Sequence, residues 1–180
     1  MMLHLGKPEI LELLARIGAD LSRRGLSASV YIFGGSALIV QGLRNDVTVD
    51  IDMWTHDSAV LGQIGSRLQQ EFGFENNPVD SRGRGFVFGP AIDTEAEEMI
   101  FDSLVARFAS PRVLLAHKLS AFRAKDVGDI VELMKRLDIR SAEQAVAIAR
   151  EYFGDDHVPA VDYEGMAIDV GNLLRDVQQR

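Results

Sequence analysis

The residues of this 180-residue chain best suited to chemistry are two acids one position apart, Asp50-Ile51-Asp52. The run from Val47 to Trp54 predicts a strand. Alternate side chains of a strand share a face, so both carboxylates project together, with Ile51 on the other side. Two carboxylates this close repel unless a cation lies between them, and such an oxygen pair suits Mg²⁺. The spacing alone is not selective, because Asp93-Thr94-Glu95 and Glu95-Ala96-Glu97 repeat it in a chain with 27 acids. Upstream, Gly34-Gly35-Ser36 follows the β-branched and aromatic run Val30-Tyr31-Ile32-Phe33 and turns the chain into a short apolar helix, Ala37 to Gln41. Bare glycines let backbone amides approach a ligand, Ser36 adds a hydroxyl, and a helix start points its amides the same way. The same glycines would equally serve a ligand-free strand-to-helix turn. An anion cradle beside a cation-holding pair is what a nucleoside triphosphate with magnesium requires.

The elements that must hold these groups follow from periodicity and punctuation. Pro8 to Arg24 repeats apolar residues at Ile10, Leu13, Leu14, Ile17 and Leu21, one face of a helix, and Gly25 follows at the expected C-cap. Ser58 to Phe72 predicts a second amphipathic helix, stopped by Gly73. The middle is punctuated by Pro78, Gly83, Gly85, Gly89 and Pro90, with strand-like pieces at Phe86-Val87-Phe88 and at Met99 to Phe108. From Ser110 the pattern becomes helical. Ser110-Pro111 opens a helix running to about Arg123, and Asp126 is expected to cap Val127 to Leu137. Ser141 with Gln144 forms a capping box for Ala142 to Phe153, and Val161 to Gln179 is expected to be helical. The pattern is that of an α+β domain followed by a helical part.

Composition narrows the function. The formal net charge is −8, 47% of residues are apolar and there is no cysteine. Disulfides and thiolate zinc sites are therefore excluded, and a core can form without either. The acidic balance disfavours a broad grip on a nucleic-acid backbone, which depends on many Lys and Arg contacts. Charge is uneven, however. Residues 1–80 carry 6 basic and 10 acidic side chains, 81–125 carry 7 and 5, and 126–180 carry 6 and 12. The middle segment, with Arg82, Arg84, Arg107 and Arg112, is the expected place for a short RNA contact. The uncharged stretch Leu26 to Leu43 reaches membrane-span length, but its paired glycines and polar residues suit a buried strand-turn-helix better. The N-terminal residues have no basic region followed by an apolar one, so the expectation is a cytoplasmic protein with no membrane association.

Two stretches resemble a known family. Gly34-Gly35-Ser36, the short apolar helix, Arg44, Thr48 and Asp50-Ile51-Asp52 resemble the signature of the nucleotidyltransferase superfamily typified by DNA polymerase beta. The form with Gly-Gly, Arg, Thr and Asp-Ile-Asp is similar to the small bacterial AbiEii-type toxins and their relatives. The segment from Leu114 to Ile130 resembles that branch's Lys-Leu-x-Ala-x-x-Arg-x-Lys-Asp-x-x-Asp-Ile stretch. The resemblance implies an α+β fold, a nucleotidyltransferase-like mixed sheet flanked by helices. The core would occupy residues 1–109, with a helical part at 110–180 packed on it as one unit. It implies Mg²⁺-dependent transfer of a nucleoside monophosphate from a nucleoside triphosphate to a hydroxyl of tRNA or protein, in a toxin with a cognate antitoxin. Asp50 and Asp52 would hold Mg²⁺. Gly34, Gly35 and Ser36 would contact the triphosphate, and Lys118 would neutralise phosphate charge. Arg44 would do the same or brace the loop. Arg123, Lys125, Asp126 and Asp129 would form a second motif, although the two acids could equally serve a helix N-terminus.

Active members of the superfamily use a third carboxylate on a later strand. Asp102, in the strand-like Met99 to Phe108, is the first choice here and Asp93 the second. If neither points into the site, the alternative is a catalytically degenerate module that binds nucleotide or protein. His4, His56, His117 and His157 lack metal-ligand spacing and are expected to be structural or on the surface. Trp54 could stack a base or pack. Ser36 has no sequence-near histidine, and no Gly-x-Ser-x-Gly elbow occurs, which disfavours serine hydrolysis.

Overall fold

A computed structural model of the chain describes residues 4–80, 93–155 and 161–178. The chain divides into two compact units, Met1–Ser110 and Pro111–Arg180. The first contains β1 (Ala28–Ile32), β2 (Ile51–Trp54), β3 (Val79–Asp80), β4 (Glu97–Phe101) and β5 (Leu104–Phe108), with helices α1 (Lys7–Arg23), α2 (Gly34–Val40) and α3 (Ser58–Phe72). The strands form one mixed sheet in the order β3-β2-β1-β5-β4. β2 runs antiparallel to β1, and β3 parallel to β2. β5 lies parallel to β1, and β4 antiparallel to β5. The parallel β2–β3 pair is made by α3, whose crossover returns the chain alongside β2.

Burial separates the two faces of this sheet. Ile51 and Met53 of β2 are buried, whereas Asp52 and Trp54 between and after them are only partly so. Registers Ile32↔Met53, Ile32↔Phe108 and Ile51↔Val79 put buried apolar residues from four strands on one side. α1 packs against α2 and α3 as well as β4 and β5, so the three helices form one layer. The opposite side carries Tyr31, Trp54, Asp52, Asp80 and Arg107, as the registers Tyr31↔Trp54, Asp52↔Asp80 and Tyr31↔Arg107 require. One side of the sheet thus makes the apolar core, and the other carries polar groups beside the buried Tyr31.

The second unit is helical: α4 (Pro111–Ala121), a 3-10 turn at Ala124–Asp126, α5 (Val127–Arg136), α6 (Ala142–Phe153) and α7 (Tyr163–Gln178). α4 packs on α5 and α6, and α6 on α7. Among the described residues no helix is long and apolar enough to cross a membrane.

Three local expectations are corrected. The glycines do not precede α2; they form its first turn, with Phe33 as the extended N-cap. The strand-like run Met99 to Phe108 is a hairpin, because Asp102 adopts a positive φ of 51° and reverses the chain. Asp126 occupies the N-cap position of α5 but makes no side-chain cap, because its carboxylate is held by cations. The expected strand Phe86-Val87-Phe88, its flanking Gly83, Gly85, Gly89 and Pro90, and also Arg82, Arg84 and His157 lie outside the described residues.

Candidate metal centre

On the polar side of the sheet, Asp50, Asp52 and Asp80 each offer a carboxylate oxygen, and these atoms all lie within 4.8 Å of one another. Each element contributes by its position. Asp50 stands one residue before β2, Asp52 is its second residue, and Asp80 is the register partner of Asp52 on β3. All three are partly exposed. Three carboxylates drawn together favour a cation among them, and their donor set is entirely hard oxygen. Ligand oxygens of an octahedral Mg²⁺ are separated by roughly 2.9–4.2 Å and those of the larger Ca²⁺ by somewhat more. The 4.8 Å bound is compatible with hard divalent cations as a class.

The glycine turn is built around this group. Gly34 has φ +65°, and a Cβ there would lie 2.4 Å from Asp52 Oδ2. Backbone conformation and the Asp52 carboxylate therefore both require glycine at this position. A Cβ on Gly35 would meet Arg44 Nη1 at 3.3 Å and Thr48 Oγ1 at 3.4 Å, so those two side chains stand over its bare backbone. Arg44 is also paired with Asp46 at 3.4 Å. The Asp46 carboxyl is held below its usual range by the Val47 backbone N–H and then by the Arg44 guanidinium. Ser36 is buried, and its hydroxyl donates to the Phe33 carbonyl at 3.1 Å. This bond braces the turn.

The structure groups Asp80, and neither Asp102 nor Asp93, with Asp50 and Asp52. Asp102 sits in the β4–β5 turn, and because β5 runs parallel to β1, that turn lies at the start of β1. Asp52 lies at the other end, where its carbonyl accepts from the N–H of Phe33. Asp102 lines a cleft of about 390 Å³ with Arg16, Arg23, Arg67 and Glu71. Asp93 is 2% exposed, and its Oδ2 accepts from the Tyr31 hydroxyl at 2.5 Å and the Ser110 N–H at 2.8 Å. It ties the ends of strands together. Asp80 was hidden in sequence because β3 is two residues long and follows Asn76-Asn77-Pro78, which reads as loop. The available signal was topological: a strand returning from α3 pairs beside β2 and aligns an acid with Asp52.

The second motif is brought together, but around a cation. Lys118 Nζ donates to Asp126 Oδ1 at 2.6 Å and to Asp129 Oδ2 at 2.7 Å, and all three side chains are at most 9% exposed. Arg123 Nε adds a bond to Asp126 Oδ2 at 2.7 Å. Burial alone would raise the Asp126 pKa, but the hydrogen bonds from Lys118 and Arg123 outweigh it and hold the carboxyl below its usual range. Lys118, expected on phosphate, has its charge matched within its own unit. Lys125 is exposed in the 3-10 turn. Of the histidines, His56 meets the Trp54 ring and His117 the Phe153 ring, both edge-on, while His4 is exposed. A further ion cluster carries no local sequence signal: buried Asp20, 5% exposed, gathers the exposed Arg23 and Arg24 and the partly exposed Arg67 at 2.9, 2.8 and 3.3 Å.

The chain matches no protein-family model, and no curated protein is significantly similar to it. The functional reading therefore rests on the motif residues and their geometry.

Proposed function

We propose that the chain is a nucleotidyltransferase, transferring a nucleoside monophosphate from a nucleoside triphosphate to a hydroxyl of RNA or protein. The observation that carries this reading is the convergence of Asp80 with Asp50 and Asp52 beside Gly34. Those three carboxylates would hold Mg²⁺. A divalent ion there supplies Lewis-acid polarisation of phosphate oxygens and offsets developing charge. The Gly34-Gly35 backbone would admit the phosphates, and Arg44, standing over Gly35, would face their negative charge. The acceptor oxygen attacks the α-phosphorus as its proton passes to Asp80. The bond from the α-phosphorus to the bridging oxygen breaks, and pyrophosphate leaves with that electron pair. Holding both reactants in line supplies much of the acceleration. An antitoxin partner would be expected if the protein acts as a toxin.

One observation favours a second reading, a module that binds nucleotide or protein without turnover. Lys118 is bound to Asp126 and Asp129. The test incubates the protein with each α-labelled nucleoside triphosphate, Mg²⁺, total RNA and cell protein, beside Asp80→Asn and Asp50→Asn/Asp52→Asn. Label transferred by the wild type and lost in both variants supports the enzyme. Nucleotide binding without any transfer supports the module, and transfer surviving in the variants contradicts the site.

A further inference from the structure

Trp54, the chain's one tryptophan, continues the line of the metal centre. It follows Asp52 by two positions on β2, so its ring leaves the same side of the sheet about 6.8 Å further along the strand, comparable to the span of a ribose. Its exposure is unlike that of its neighbours. Ile51 and Met53 on the opposite side are 1% and 0% exposed, while the indole stays partly open. The imidazole of His56 meets it edge-on, with centroids 4.5 Å apart and planes at 74°, which fixes the orientation of the indole plane. Below it, the Tyr31 hydroxyl is engaged by Asp93, so the neighbouring aromatic is anchored. An oriented, partly open indole two positions along the strand from the carboxylate group has the shape of a stacking wall.

We propose that Trp54, held by His56, stacks the base of the nucleotide whose phosphates occupy the carboxylate centre, with preference for the larger purine ring. This deepens the nucleotidyltransferase reading and rests on it. Such a wall tolerates any base, because every base has a π-face, and graded overlap favours purines. It would also hold the α-phosphorus at a fixed distance from Asp52, making the indole part of nucleotide positioning.

The test compares ATP, UTP and inorganic tripolyphosphate, each with Mg²⁺. Wild-type binding is followed by tryptophan fluorescence and by calorimetry, and binding to Trp54→Ala and Trp54→Phe by calorimetry. ATP should quench the fluorescence more than UTP, and tripolyphosphate should quench it little. ATP should bind the wild type roughly five- to a hundredfold more tightly than tripolyphosphate, the size of one stacked base. Trp54→Ala should lose that advantage without changing tripolyphosphate affinity, and Trp54→Phe should keep much of it. Equal binding of ATP and tripolyphosphate, unaltered in Trp54→Ala, overturns the stacking and leaves the phosphate site standing. Absence of magnesium-dependent binding by all three ligands overturns the nucleotide reading together with the stacking.

Discussion

Two clusters of aspartates in this chain differ in burial and in what their carboxylates converge on. In the first unit Asp50, Asp52 and Asp80 converge on one another at the partly exposed mouth of the sheet. In the second, Asp126 and Asp129 converge on Lys118, with Arg123 behind, and are buried. The second cluster carries its own countercharge, so its geometry is complete and its role is to bind α4 to α5. The first brings three partly exposed acids to one point, an arrangement whose oxygen donors would suit a divalent cation. The contrast is thus between buried acids around one lysine in the second unit and partly exposed acids around one another in the first.

Substitution should separate them most sharply. Asp80→Asn should reduce nucleotidyl transfer at least a hundredfold, a loss on the scale of a metal-supported transition state, with little change in thermal stability because the substitution is isosteric at a partly exposed position. Parallel kinetics and melting would check this. Lys118→Met should do the reverse. Leaving two buried acids without their cation should cost about 3–5 kcal/mol in denaturant unfolding and leave cation binding at the first unit unchanged.

Acid should also distinguish the clusters. The Asp126 carboxyl is depressed in the folded protein, so its contribution to stability is present above its unfolded value of about 3.9 and fades as pH falls through the lower folded value. Melting temperature should therefore drop below about pH 4, and Asp126→Asn should flatten that drop. Ligand linkage offers a comparable measure: a saturating divalent cation at a hundred times its dissociation constant should stabilise the wild type by about 2.7 kcal/mol. The smallest effect is expected for Gly34→Ala. Its positive φ costs about 1 kcal/mol, but the crowded Asp52 carboxylate should shift and weaken cation affinity beyond what that strain explains.

Much of this was legible in the sequence where local chemistry decides structure. α3 ends at Gly73, which adopts φ +72°, and α6 opens on the Ser141–Gln144 box, whose two reciprocal bonds form. Asp50, Asp52 and the glycine turn were visible for the same reason, since strand alternation and glycine conformation are local rules. What tertiary pairing decides was not visible. Asp80 joins the site through a two-residue strand, too short to show periodicity. Asp102 looked like a strand residue because its turn uses Asp102-Ser103 in place of a glycine. Asp126 has the composition of a cap, yet buried cations outcompete the helix amides for its carboxylate.

The central claim, that Asp50, Asp52 and Asp80 form one cation site, is tested most directly by titrating Mn²⁺ into the chain and following the free ion by electron paramagnetic resonance. Mg²⁺ then serves as competitor, and Asp80→Asn as the comparison protein. The account predicts one Mn²⁺ bound per chain, displaced by Mg²⁺ and weakened at least tenfold in Asp80→Asn. Binding of equal strength in wild type and Asp80→Asn, or no binding by the wild type, would contradict it.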